Sequence, residues 1–196
     1  MEKRNMRTEK KPEIIVFAGP NGSGKSSITR EARIVGKYVN ADDIKKEKGC
    51  SDLEAAEIAD EMREGELESR RDFTFETVLS TRRKIDLLNR AKEKGYFIRC
   101  VYVLTRDPNI NVYRVVSRME SGGHGVPADK VIERYFKCIR LIPEIYQLSD
   151  TFYLFDNSAE LTRIAVKKRG QLDIVPSDMW SEPEIRELLE GKQNGA

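Results

Sequence analysis

Apolar and polar positions follow two rhythms along this chain, and the switches between them divide it into elements. Residues 14–18 are a short continuous apolar run, the pattern of a strand buried on both faces. Lys37-Tyr38-Val39-Asn40 predicts a brief second strand. Over residues 52–70, Leu53, Ala55, Ala56, Ile58, Ala59 and Met62 recur at helical spacing among many charges, which predicts an amphipathic surface helix with a solvated polar face. Residues 72–78 alternate as a strand does. Residues 82–94 return to helical spacing, with Ile85, Leu88 and Ala91 inward and Gly95 as the stop. Residues 96–104, YFIRCVYVL, are nearly all apolar and predict a central parallel strand. Val112, Val115, Val116 and Met119, then Val131, Ile132, Tyr135, Phe136 and Ile139, mark two further helices, with a break near Pro143. Residues 151–155 give a last core strand, and 163–175 a β-hairpin turning near Gly170. Ser181-Glu182-Pro183-Glu184 is a capping box for a short helix reaching Glu190.

Strands and helices alternate from residue 13 to 156 without a linker or internal repeat, which predicts one α/β domain. The expected architecture is a doubly wound, parallel five-stranded sheet with flanking helices. A helical lid over about residues 107–148 and a C-terminal hairpin and helix over 160–190 complete a single domain from 13 to 196. Residues 1–12 carry Lys3, Arg4, Arg7, Lys10 and Lys11 with little that is apolar, and read as a flexible basic tail.

Composition narrows the partners. Of 196 residues, 35% are charged, but 35 Lys and Arg against 33 Asp and Glu leave a net charge of +2. That balance, with no interleaving of aromatic and basic residues, counts against a nucleic-acid partner. Cys50, Cys100 and Cys138 form no CxxC pair and read as reduced thiols. A single histidine excludes a His-rich metal site. No apolar run is long enough for a membrane helix, so the expected location is the cytoplasm.

The chemistry begins after the first strand. Gly19-Pro20-Asn21-Gly22-Ser23-Gly24-Lys25-Ser26 satisfies G-x-x-x-x-G-K-[ST] at every fixed position, between a strand and a helix that opens with Ser27. Glycines let backbone N–H groups turn inward around a phosphate, and the helix aims its positive end at the same anion. Lys25 can reach the β- and γ-phosphates and the Ser26 hydroxyl can hold Mg²⁺. The segment binds a nucleoside triphosphate.

Two carboxylate positions fall at strand ends, where ligands of parallel sheets bind. Asp42 and Asp43 follow the second strand, with one Asp able to cap the next helix while the other does chemistry. Glu76 ends the third strand, beside Thr77, placed to orient a substrate hydroxyl or a Mg²⁺-bound water, or to form a salt bridge. Arg82, Arg83 and Lys84 open a helix against its dipole, a conflict that a nearby anion would remove and that solvation would also ease. Arg114 and Arg118 lie one turn apart, ahead of a glycine loop containing His124 and a helix containing Arg134. A helix, glycine loop and helix so charged suit a lid closing on transferring phosphates. Without a clear Walker B strand or a guanine-reading motif, a small-substrate kinase fits best.

The segments GPNGSGKSS, VNADDI, FTFETVLS, GYFIRCVYVL, RVVSRMESGGHGVPADKVIERY and YLFDNS together resemble the zeta-toxin-like P-loop kinases, over about residues 13–158. The resemblance implies transfer of the ATP γ-phosphate to the 3′-hydroxyl of the amino sugar of UDP-N-acetylglucosamine, and an antitoxin protein as partner. It also implies Asp42 as catalytic base, Glu76 as substrate-binding acid, Lys25 and Ser26 as ligands of nucleotide and Mg²⁺, and Arg118 as the first lid arginine. The second lid arginine has no clear counterpart; His124 falls near its place and Arg134 is the substitute. Competing readings are a kinase of another nucleotide or of a nucleic-acid end, and an ATP-binding switch without transfer.

Overall fold

The computed structural model describes residues 10–120 and 125–191. Its strands are β1 (Glu13–Ala18), β2 (Lys37–Val39), β3 (Phe73–Thr77), β4 (Phe97–Leu104), β5 (Thr151–Asp156), β6 (Thr162–Lys168) and β7 (Gln171–Ile174). The helices are α1 (Lys25–Glu31), α2 (Ala41–Lys48), α3 (Asp52–Glu68), α4 (Arg83–Glu93), α5 (Pro108–Glu120), α6 (Ala128–Arg140), α7 (Ile142–Leu148) and α8 (Glu182–Glu190). The strands form one sheet in the order β2-β3-β1-β4-β5-β6-β7. β1 lies between β3 and β4, parallel to both, and is buried along its whole length. The chain fills one side of β1 with β2 and β3, then crosses to β4 on the other. The exit of β1 is therefore the switch point where ligands of such sheets bind.

Two features depart from the expected architecture. The hairpin is no appendage, because β6 pairs antiparallel with β5 from Thr151↔Lys168 to Asp156↔Thr162 and β7 pairs with β6. The five parallel strands thus become a mixed seven-stranded sheet, and the hairpin covers the edge that β5 would otherwise present unpaired. The winding is also uneven. The larger core packs Val16, Phe75, Ile98, Tyr102 and Phe152 against side chains of α3, α4, α7 and α8, including Ala59, Leu88, Ile145 and Leu189. On the other face, among the described residues, Ile15, Phe17, Val35 and Val101 form a smaller apolar cluster with Ile28 of α1, Ala32 just after it, and Tyr153 and Phe155 of β5.

Ser51 and Ser181 each close a capping box, with Glu54 and Glu184 respectively. The charged face of α3 is not simply solvated. Arg63 and Glu66 are buried, Glu66 holds Arg71 at 2.6 Å, and Arg90 reaches Glu64 at 2.8 Å. The basic start of α4 meets carboxylates: Arg82 makes a two-pronged pair with Glu144 at 2.7 Å, while Arg83 and Lys84 turn to Asp60. The lid helices bury less than their stripes suggest. Val115, Val131 and Tyr135 are buried, but Val116, Met119 and Phe136 stay 39–49% exposed. The break near Pro143 appears where α6 gives way to α7. The expected tail and the loop residue His124 lie outside the described residues, except that residues 10–12 lead into the sheet, with Phe97 N–H donating to Pro12 O at 2.8 Å. All three cysteines are free thiols, Cys100 and Cys138 buried. Among the described residues no helix is long and apolar enough to cross a membrane.

Candidate active site

The loop between β1 and α1 is shaped by glycines that no other residue could replace. Gly22 and Gly24 take φ of 76° and 98°, the left-handed region that side chains avoid. A Cβ on Gly22 would lie 2.5 Å from Asn111 O, and one on Gly24 would lie 2.2 Å from Asn157 Nδ2. The same two residues brace the loop with their side chains. Asn111 Nδ2 donates to Asn21 O at 2.6 Å, and Asn157 Nδ2 donates to Ser23 O at 2.8 Å. With the Asn21 and Ser23 carbonyls engaged from behind, the loop keeps a fixed form. Sequence reasoning missed both asparagines, since each is polar and sits where a loop meets an element. The Ser23 hydroxyl is fully buried without a hydrogen-bond partner, and Asn21 Oδ1 is likewise unpartnered, so the cradle holds polar capacity that the protein leaves unused. This suits the phosphates of a nucleotide.

Lys25, first residue of α1, is buried and folds back to donate to Pro20 O at 3.0 Å. Burial lowers its pKa, opposed by the negative charges of Glu76 and Asp42, while Arg118 adds to the lowering. Glu76 at the end of β3, Asp42 in the first turn of α2 and Arg118 in the last turn of α5 are thus among the charges that act on this ammonium. The helix-opening cap is Asn40, not either aspartate; its Oδ1 accepts from Asp42 N at 2.9 Å. Asp42 and Asp43 are thus exposed and excused from capping.

Glu76 gathers hydroxyls. Ser26 Oγ donates to Oε1, and Thr29 Oγ1 and Tyr38 OH donate to Oε2, each at 3.3 Å. Hydroxyl–carboxylate bonds prefer about 2.7 Å, so this carboxylate is loosely held and open to a stronger partner. Asn40 Nδ2 donates in turn to Tyr38 OH at 3.2 Å, linking the cap of α2 to Glu76. Burial and the Glu76 charge push the Tyr38 phenol up to about 12, so it remains a donor at neutral pH.

Some expected residues turn elsewhere. Thr77 Oγ1 accepts from Leu79 N at 3.0 Å, steadying a buried leucine at φ 55°, which makes it a turn residue. Arg114 donates to the carbonyls of Asn157 at 2.8 Å and Ser158 at 3.4 Å, tying α5 to the exit of β5 and leaving Arg118 as the arginine of α5 that acts on Lys25. Arg134 is half-buried on α6, one turn before the buried Cys138. Ser27 is exposed, its N–H donating to Gly24 O at 3.1 Å.

A glycine loop between a buried parallel strand and a helix, with a buried lysine and the Glu76 carboxylate beside it, is the arrangement of nucleotide-binding folds. The zeta toxin family model matches residues 1–178. The chain belongs to the zeta toxin family. By family it is a phosphotransferase. This zeta toxin family member is 28% identical over 127 residues to an uncharacterized protein of Haemophilus influenzae, a match covering 62% of the chain and 91% of that protein. Its fold is that of a chain of the AvrRxo1-ORF1:AvrRxo1-ORF2 complex solved with ATP (TM-score 0.61, 18% identity, 96% of this chain and 66% of that one). It is also similar to the PezAT chromosomal toxin-antitoxin system of Streptococcus pneumoniae (TM-score 0.52, 15% identity, 97% and 83%).

Proposed function

We propose that this protein transfers the γ-phosphoryl group of ATP to a hydroxyl of a nucleotide sugar, UDP-N-acetylglucosamine being the first choice. The observation that carries the reading is the Glu76 carboxylate beside the phosphate loop, which the Ser26 and Thr29 hydroxyls of α1 both meet at 3.3 Å, next to a buried Lys25 that feels the charges of Glu76 and Asp42. A module that only binds ATP has no use for a carboxylate at Asp42.

Residues 19–26 hold the triphosphate, with Lys25 leaving Pro20 O for the β- and γ-phosphates. The Ser26 hydroxyl and the Glu76 carboxylate offer hard oxygen donors 3.3 Å apart, the chemistry that suits Mg²⁺, which would supply charge neutralisation on the transferring group. Asp42 accepts the proton of the acceptor hydroxyl, and Glu76 orients that hydroxyl from the sheet side. Arg118 spreads the negative charge as the phosphoryl moves, with Arg134 of α6 as the substitute for a second lid arginine. Closure of α5 and α6 excludes water, so that phosphate passes to the acceptor instead of to solvent. Relatives assembled with a second protein, as in PezAT, support an antitoxin as partner of this chain as well.

Incubation with Mg-ATP and a panel of nucleotide sugars, read by product mass, tests the reading. A phosphorylated UDP-N-acetylglucosamine is the expected product. ATP consumption that no acceptor stimulates would favour a switch instead.

A further inference from the structure

Three hydroxyls surround the Glu76 carboxylate, but their protons are not equally free to serve it. Ser26 Oγ is on an exposed residue and meets Oε1 at 3.3 Å. Thr29 Oγ1 and Tyr38 OH both meet Oε2, also at 3.3 Å. A hydroxyl has one proton to give. That of Thr29 has a nearer acceptor in Lys25 O at 3.0 Å, the bond to the preceding helical turn that threonines in helices make. Tyr38 has no such alternative: among the described residues its one acceptor is Glu76.

Strand pairing and a neighbouring amide give the phenol its direction. Tyr38 lies opposite Thr74 in the parallel β2–β3 pair, and Glu76 follows Thr74 by two residues, so both side chains rise on the same face of the sheet. Asn40 Nδ2 donates to Tyr38 OH at 3.2 Å, which occupies a lone pair of that oxygen and turns its proton toward Oε2. The same asparagine accepts from Asp42 N at 2.9 Å through Oδ1. Aspartate would cap α2 as well, but it has no hydrogen to donate to a phenol.

We propose that Tyr38 is a positioning residue for Glu76, on the reading that places Glu76 beside the metal of a bound nucleotide. The phenol holds Oε2 on the β2 side and so leaves Oε1 turned to Ser26 Oγ, while Asn40 sets the direction of the phenol proton. At 3.3 Å the hold is light, which suits a carboxylate that must settle on a cation as the nucleotide arrives. A tyrosine kept only for its ring would need neither bond, and phenylalanine would replace it without effect on the metal.

The test uses the full chain and its calorimetric affinity for a non-hydrolysable ATP analogue, measured once with magnesium and once with a chelator. The ratio of the two affinities is the gain from the metal. Tyr38→Phe is expected to cut that gain about three- to tenfold, the scale of one hydrogen bond, and to leave the affinity in chelator as in wild type. Asn40→Ser keeps a capping oxygen and drops the amide donor, so a smaller loss in the same direction is expected. In a Glu76→Gln background Tyr38→Phe should change nothing further, because it acts through that carboxylate. Circular dichroism establishes that the variants are folded, and Asn40→Ser serves if Tyr38→Phe is not. A gain that Glu76→Gln lowers but Tyr38→Phe leaves intact would overturn the proposal alone, as would losses that simply multiply in the double variant. A gain that Glu76→Gln leaves intact would overturn the reading of Glu76 and the proposal with it. Neither acceptor nor turnover enters the measurement, so its failure is distinct from failure of the acceptor assignment.

Discussion

Asp42 carries the sharpest prediction at the scale of single residues. The Asn40 cap holds its backbone, its side chain is exposed in the first turn of α2, and its charge acts on Lys25. Replacement by Asn keeps the shape and removes the base. Asp42→Asn is expected to lower kcat by roughly 10²–10⁴-fold while the affinity for a non-hydrolysable ATP analogue stays unchanged. Transfer retained at wild-type rate, with Asp43 intact, would sink the assignment. Glu76→Gln should act differently, because Glu76 collects Ser26, Thr29 and Tyr38 and faces the metal position. Weaker magnesium affinity, read as a raised magnesium concentration for half-maximal rate, is the expected signature.

Among elements, the phosphate loop depends on neighbours far away in sequence. Asn157→Ala removes the donor to Ser23 O and leaves the carbonyl of this buried residue short of a partner, expected to cost about 1–3 kcal/mol of stability. ATP affinity should fall with it, whereas Asn157→Ala with normal affinity in an analogue titration would show that the loop holds its shape unaided. These braces explain what was legible in the sequence. The loop itself, the strands before and after it and the rim position of Asp42 follow from local spacing, which a single chain displays. Arg114 and Arg118 look alike on paper, one turn apart. Only the approach of α5 to the exit of β5 engages the first with Asn157 O and leaves the second to act on Lys25. The hairpin was legible as a hairpin, but its pairing with β5 depends on an edge whose existence is a property of the assembled sheet. Tyr38 was hidden for the same reason, since nothing local announces that its hydroxyl meets Glu76.

At the scale of the whole molecule, the lid and the loop share one set of hydrogen bonds, and pH reaches them through a phenol. Tyr135 of α6 donates to Thr105 O at 2.6 Å; the Thr105 hydroxyl meets Asn111 Oδ1, and Asn111 Nδ2 holds Asn21 O of the loop. Burial foremost, with the charges of Asp107 and Asp156 behind it, pushes the Tyr135 phenol up to about 12; Tyr96 and Tyr38 are raised to about 12 as well. An unfolded chain releases these protons near pH 10. Between about 10 and 12 the folded protein therefore binds more protons than the unfolded one, and stability falls as pH rises through that window while remaining intact below it. Urea midpoints measured across the window should drop steadily, with tyrosinate absorbance appearing together with unfolding. Tyr135→Phe separates the roles of the group. It loses one hydrogen bond, costing about 1 kcal/mol at neutral pH, but its alkaline slope should be shallower than that of the wild type. Parallel slopes for variant and wild type would mean that Tyr135 ionises freely in the folded lid, and that its link to the loop carries no pH dependence.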